Sequence, residues 1–441
     1  MTEFKRSLTL LDLTLLAIGG SIGSGIFLTP ATIAADVGSP WMILCVWMLG
    51  GLITLTGALT FSEAAALVPG AGGEYAFLKQ AYGGLTGFLF GWAYFLVVNS
   101  GGLGAVSLAF ATYLGQFFSL GPVGTKVAAI AGLMLLTAIN VFGVKAGAVF
   151  SNIFTGLKVV GILGLVGVGL VYGSAHTTDF TWAVGEMPHG FTQSLALGLV
   201  GVLWSYGGWQ HATYVTSEVR DPQRTLPRAM IIGACSITAI YLLTNLAYLF
   251  LMTPAQMAAS PRIAADAVGT VMGPLGSRLI AVAIFISTFG IAGIYTMTAP
   301  RIYYAMAADG VFFSKVAEIH PRYHTPAFAI IFASIWASVL ILFWGTFDKL
   351  ISYVVFTDYI FFALAGASVI VMRRTMPTAP RPYRVPGYPL VPLFFVGTSV
   401  WFLANTLIEK PEQAWAGLLF LGLGVPVYFY WKARHRASGR A

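Results

Sequence analysis

Ten stretches of this 441-residue chain contain no Asp, Glu, Lys or Arg: residues 13–35, 37–62, 80–125, 127–144, 187–217, 229–261, 279–300, 323–347, 385–408 and 413–431. Two more, 146–178 and 350–372, carry one charge each, Lys158 and Asp358. A helix needs about 20 apolar residues to cross the hydrocarbon core of a bilayer, so the windows predict twelve transmembrane helices. Only 9% of the residues are charged, against about 25% in an ordinary soluble domain. That is too little polar surface for soluble domains of this total length, and 57% hydrophobic residues exclude intrinsic disorder.

The net charge of +8 could suggest nucleic acid, but its distribution says otherwise. With the N-terminus inside and twelve spans, eighteen basic residues face the cytoplasm, from Lys5, Arg6 and Lys79 to Arg434, Arg436 and Arg440. Five face outward: Lys126, Arg262, Arg278, Lys349 and Lys410. Cytoplasmic loops of membrane proteins carry this excess of Lys and Arg. Dividing window 80–125 into two spans would export the arginines of 220–228 and 373–384, so it is read as one. The basicity is orientation charge, and no nucleic-acid partner is expected. Lys5-Arg6 before an apolar run resembles a signal peptide, but apolar sequence continues through Phe27 and Leu28, and a retained first span is expected. Cys45 and Cys235 fall inside spans, so no disulfide framework is expected and both are read as packing residues.

Loops are short. The larger ones are 174–190, read as external with His176, Asp179, Glu186 and His189, and the cytoplasmic stretch 307–325. Proline-rich 377–392 reads as an extended connector. Two spans look broken. The first holds AIGGSIGSGIF, with Gly19, Gly20, Gly23 and Gly25 within seven residues; the sixth holds LWSYGGWQ, with Gly207 and Gly208 beside Ser205. Each glycine costs a helix about 1 kcal/mol relative to alanine, which favours local unwinding; close helix packing through small residues is the other reading. The two breaks lie five spans apart, an odd period that inverts the second half. Glycine-interrupted helices at matching positions of two inverted halves point to a transporter's binding site.

Unwinding in mid-membrane frees backbone groups that lipid cannot satisfy, so they must face a cavity or ligand. The half-helix opened by Gly23, Ser24 and Gly25 presents unpaired N–H groups and partial positive charge, suited to a carboxylate. Carbonyls closing the preceding half-helix, and those near Trp204 and Ser205, suit an ammonium. Donors on one side and acceptors on the other match a zwitterion, which suggests an α-amino acid.

Longer motifs carry a resemblance. GGSIGSGIFLTP (19–30), GALTFSEAAALVPGAGGEYAFL (57–78), FATYL (110–114), FTGLKVVGI (154–162), WSYGGWQHATYVTSEVRDPQRTLPRA (204–229), PRIYYAMAADGVFF (300–313), PRPYRVPGYP (380–389) and PVYFYWK (426–432) run nearly end to end. Through them the chain resembles the amino acid–polyamine–organocation (APC) superfamily, most closely its L-type amino acid transporter branch in a bacterial form. The resemblance implies an all-α membrane protein with a five-plus-five inverted-repeat core of the LeuT type, helices one and six unwound, working by alternating access. Residues 1–173 would form the first repeat, 190–373 the second, and 385–432 two peripheral spans. It implies that substrate carboxylate meets the backbone at Gly23, Ser24 and Gly25. The substrate amine would meet carbonyls near Ser21, Ile22, Trp204 and Ser205, beside the Gly207 break, with Trp204 as an aromatic gate. Trp204 can also be read as interfacial or core packing. Tyr359 matches a pocket-lining aromatic. The heavy-chain cysteine of animal relatives, between spans three and four, has no counterpart in SLGPVGTK (119–126), so no disulfide-linked heavy chain is expected.

Lys158 lies 11 residues into a span starting near Gly147, roughly 16 Å deep at 1.5 Å per residue. Snorkelling from there would not reach water, so it is either neutral or bound by acceptors. The resemblance gives it the role that sodium has in related folds: tying span five to carbonyls near Gly20–Ser21 and coupling substrate to conformation. Asp358 lies about ten residues into span ten, where the L-type branch tends to a neutral polar residue. It is a candidate proton site, a partner for a neighbour such as Tyr359, a determinant for a cationic side chain, or a structural hydrogen bond. Glu63, Glu74, Glu218 and Asp221 read as gate ion pairs and helix caps with Arg220, Arg224 or Arg228, none deep enough to touch substrate.

The expected function is secondary transport of small to medium neutral L-amino acids by exchange, with proton-coupled uptake of broader or cationic substrates as the runner-up. A channel would want a symmetric ring of charges or carbonyls, which one chain does not supply. Six scattered histidines, and the absence of HExxH and GxSxG, argue against an enzyme; no metal or cofactor is expected. A membrane nutrient sensor, binding without flux, is the reading from another class. The expected location is the plasma (inner) membrane with both termini cytoplasmic.

Overall fold

A computed structural model describes residues 4–115, 117–173, 188–344, 347–409 and 411–437. His176, Asp179 and Glu186 of the expected external loop lie outside the described residues. Helices account for the regular structure among them, apart from one parallel bridge between Leu8 and Val219.

Local chemistry sets the helix ends. Thr9 caps α1 (Leu10–Ser21): its hydroxyl accepts from Asp12 N while Asp12 Oδ2 accepts from Thr9 N at 2.8 Å, a reciprocal capping box. α2 (Gly25–Val37) follows after a three-residue gap, and the pair is bent by 41°. Gly38, at φ 72°, closes α2 in the left-handed region that favours glycine. Ser39 then caps α3 (Pro40–Leu67), with Pro40 at its first position, where the missing N–H costs nothing. A short α4 (Glu74–Tyr82) leads into α5 (Gly84–Ala93), which runs through a π turn at Tyr94–Val98 into α6 (Asn99–Leu114). The stretch Gly84–Leu114 is thus one crossing, as the basic residues demanded.

The chain continues with α7 (Pro122–Val141), α8 (Val144–Tyr172), α9 (Phe191–Tyr206), α10 (His211–Tyr214), α11 (Pro222–Leu251) and α12 (Pro254–Ala259). Next come α13 (Ile263–Thr298), α14 (Pro300–Ala308), α15 (Ala327–Trp344), α16 (Phe347–Thr375), α17 (Leu390–Glu409) and α18 (Pro411–Ala437). α13 is kinked at Gly273 (φ 61°), directly before Pro274. Among the described residues, eight helices are long and apolar enough to cross a membrane, nine if α1 and α2 are one broken span. The apolar helices of α9 and α15 are shorter.

Burial runs opposite to that of a soluble bundle. On α8, Val149, Ile153, Leu157, Val160 and Leu163 are exposed, while Ser151, Thr155 and Lys158 on the other face are buried. The outer surface meets lipid tails, so apolar groups cost nothing there and polar groups gather inside, where they find partners. Cys45 and Cys235 correct the packing expectation: both are exposed on this outer surface. They lie in spans but on the wrong side of the helix to pack. At the centre, α2 packs on α9, α1 on α11 and α8, and α13 on α8 and α6, which brings the two glycine breaks face to face.

Candidate functional site

Both breaks are open backbone. α1 stops at Ser21 and α2 restarts at Gly25, so the leading amides of α2 stand at a helix start that the helical ladder does not satisfy. α9 stops at Tyr206, and a turn at Gly207–Gln210, with Gly208 at φ 112°, precedes α10. Glycine is required here twice over. A Cβ at Gly20 would lie 2.6 Å from Gly208 O, and a Cβ on Gly208 would collide with the Gly20 carbonyl in turn. A Cβ at Gly25 would lie 2.5 Å from Ser205 Oγ. Unwinding and close packing therefore occur together: the helices unwind at the points where they touch.

Three side chains fasten the breaks. Lys158 Nζ donates to Gly19 O at 2.9 Å and to Ile22 O at 2.8 Å, and is 1% exposed. It grips the carbonyls on either side of the pair expected, Gly20 and Ser21. Ser287 Oγ on α13 also donates to Ile22 O, at 3.3 Å. A carbonyl has two lone pairs, so a substrate ammonium would have to displace one of these donors from Ile22. The Tyr241 hydroxyl on α11 lies 2.8 Å from Ser21 O and 2.7 Å from Ser205 O, sharing its single proton between the two breaks. Thr29 Oγ1 and Ser205 Oγ add a 2.9 Å hydrogen bond across the same seam. Tyr241→Phe removes the shared donor without changing the packing. It is expected to cost about 1–3 kcal/mol, read as a lowered unfolding temperature; an unchanged midpoint would show that the bridge carries no stability.

Beside the second break lies a cavity of about 30 Å³, lined in part by Tyr94, Asn99, Trp204, Gly207, Gly208, Gln210, Tyr295, Asp358 and Tyr359. That is room for roughly one or two waters. The structure thus gathers Trp204, Gly207, Asp358 and Tyr359 around one space. Ser21, Ile22, Gly23, Ser24, Gly25 and Ser205 are buried against the seam and do not line it. Asp358 Oδ2 accepts from Gln210 Nε2 at 3.5 Å, while Oδ1 has no hydrogen-bond partner among the described residues. Gln210 in turn accepts from Gly208 N at 2.8 Å, tying Asp358 to the break itself.

Sequence reasoning passed over Tyr94, Asn99, Gln210, Tyr241, Ser287 and Tyr295. The available signal was polarity in mid-span, which hydroxyl and amide residues show far more weakly than charge. The acidic residues need correction. Glu218 pairs with Arg301 on α14 rather than with Arg220, Arg224 or Arg228, at 2.8 Å with both side chains fully buried. Glu63 accepts from Arg373 at 2.8 and 2.6 Å and lies 3.5 Å from Arg381. The Asp221–Arg224 pair forms, but at 4.0 Å and exposed, where such pairs contribute little. Glu74, between the crossings α3 and α5–α6, is fully buried. Burial, and then the Asp358 charge, hold its carboxyl well above the usual carboxylate range.

A bundle of membrane-length helices with two unwound segments in contact, the second of them lining a small buried pocket, is the build of a multi-pass membrane transporter. A family model for amino acid permeases matches residues 8–426. The chain is 32% identical over 434 residues to the serine/threonine exchanger SteT of Bacillus subtilis (strain 168), covering 98% of each protein. It is 31% identical to the human b(0,+)-type amino acid transporter 1, covering 98% of this chain and 90% of that one. It is also 31% identical to the human large neutral amino acids transporter small subunit 2, covering 97% and 81%. The chain belongs to the amino acid permease family of the APC superfamily. It is a transport protein and not an enzyme.

Proposed function

We propose that this permease is a secondary active exchanger of small to medium neutral L-amino acids, working by alternating access in a plasma membrane. The observation that carries the reading is the seam: two helix breaks in contact at Gly20 and Gly208, fastened by Lys158 and Tyr241. An amino acid seated between the breaks offers a carboxylate to the amides at Gly23–Gly25 and an ammonium to the carbonyls of Ser21, Ile22, Trp204 and Ser205. Trp204 and Tyr359, both on the small pocket, would close over it. Because these contacts are backbone, they recognise what all amino acids share; the pocket wall selects the side chain. Twelve spans, an inverted repeat of 1–173 and 190–373, peripheral spans in 385–432 and cytoplasmic termini belong to the same reading. The absence of cysteine from 119–126 supports a permease working without a disulfide-linked heavy chain.

The serine/threonine exchanger named above is similar over its whole length, which favours exchange. Asp358, buried and half-unpaired in the pocket, is the specific observation favouring proton coupling instead. Proteoliposomes separate the two. For an exchanger, uptake should rise several-fold when the lumen is preloaded with substrate, and an imposed pH gradient alone should not drive it. Uptake driven by an inward proton gradient and indifferent to preloading would establish symport. Substrate binding with neither response would leave a sensor. A thermal-shift screen of the purified protein against the twenty amino acids should show a rise in unfolding temperature with a subset of neutral ones; stabilisation by an organic amine and by none of the twenty would end the amino acid reading.

A further inference from the structure

A second buried carboxyl, outside the pocket lining, stands at the start of α4. Glu74 and Asp358 are both buried, 0% and 9% exposed, and one oxygen of each, Glu74 Oε1 and Asp358 Oδ1, lacks a hydrogen-bond partner among the described residues. Polar side chains fill the space between them. Tyr214 donates to Glu74 Oε2 at 3.1 Å. The Tyr214 and Tyr94 rings meet edge to face, with centroids 5.4 Å apart. Tyr94 lines the same pocket as Asp358, and its hydroxyl also contacts His211 Nε2 at 3.1 Å. Thr298 Oγ1 holds the other His211 nitrogen, Nδ1.

No cation among the described residues compensates the pair. Lys79, on α4 itself, binds Asp309; Arg301, on α14, binds Glu218; Arg373, on α16, binds Glu63. The titratable groups facing the two carboxyls are Tyr94, Tyr214, His211, Tyr295 and Tyr359. A buried carboxylate without a counter-charge costs several kcal/mol, and neutralisation by a proton removes that cost. Two such groups in mutual electrostatic contact favour one proton between them over none.

We propose that Glu74 is a proton-binding site coupled to the substrate pocket through the packed side chains of Tyr214, which hydrogen-bonds it, and Tyr94, which lines the pocket. The step is simple proton binding: the Glu74 carboxylate takes one proton from water to become the neutral acid and returns it on ionising, with no other bond made or broken. An amino acid closing the pocket changes the surroundings of Asp358 and thereby the proton occupancy of the pair. The proposal rests on an amino acid being the pocket's occupant.

Calorimetry on the purified full-length protein tests it. The probe is the amino acid that most raises its unfolding temperature, titrated in buffers of different ionisation enthalpy between pH 5 and 8. Wild type should exchange a measurable fraction of a proton per amino acid bound, with affinity varying by up to about tenfold per pH unit for one full proton. Glu74→Gln should abolish that exchange while binding persists. Tyr214→Phe, which keeps both carboxyls and removes the link, should reduce it. A wild-type proton count of zero across the range overturns the proposal, whether or not the variants fold. So does a count unmoved in both variants. Binding by none of the twenty amino acids sinks the functional reading instead, and this one with it.

Discussion

Lys158→Ala should abolish exchange, lowering initial uptake into proteoliposomes by more than tenfold. The amine makes two hydrogen bonds to backbone carbonyls, Gly19 O and Ile22 O, of which Ser287 reaches only the second. At about 1.5–3 kcal/mol for each bond to a charged group, the pair holds the unwound part of α1 to α8 with about 3–6 kcal/mol. Each 1.4 kcal/mol is a factor of ten in an equilibrium, so losing even one bond shifts the balance between conformations strongly. Lys158→Met keeps the stem and removes the donors. If the loss arises from the hydrogen bonds rather than from a cavity, Met should be nearly as inactive as Ala, while its unfolding temperature stays nearer wild type. Near-wild-type uptake by both variants would dismiss Lys158 as a coupling residue.

The second large effect is expected at the Glu218–Arg301 pair, where both side chains are fully buried. It sits where three segments meet. Ser7 N and Leu8 N donate to Glu218 O at 2.9 and 3.0 Å, and Arg220 N donates to Leu8 O at 3.0 Å. The N-terminal segment is thereby pinned to the chain leaving the second break. Removing one partner of a buried pair strands the other charge and costs about 3–5 kcal/mol, whereas replacing both by apolar groups is often nearly neutral. Glu218→Gln and Arg301→Met should each lower the unfolding temperature sharply. The double variant should recover most of the loss. Additive losses in the double variant would mean that the two residues act independently and that the pair is not a latch.

Charge was legible because it is costly in lipid: each uncharged window, and each exception to one, carried information. The twelve windows exceed the eight or nine membrane-length spans among the described residues, but the 80–125 argument placed a single helix where Gly84–Leu114 runs. Glycine density located both breaks. What the sequence concealed was which groups meet. Tyr241, one of nineteen tyrosines, is not marked as the side chain that bridges Ser21 and Ser205. Glu74 read as a gate or capping residue; α4, which it opens, packs against α5 and α16, and its side chain is fully buried. Arg301 and Glu218 are 83 positions apart, and no local pattern predicts their contact.

The sequence alone determined that this chain lives in lipid, where two of its helices break, and that one lysine and one aspartate lie deep among them. Those are consequences of solvation and backbone propensity, which act residue by residue. Only the tertiary structure decided that the two breaks press against each other, that Lys158 spans the first of them, and that Asp358 lines a pocket beside the second. Contacts between distant segments depend on how whole helices pack, and side-chain polarity in one segment does not encode its partner in another.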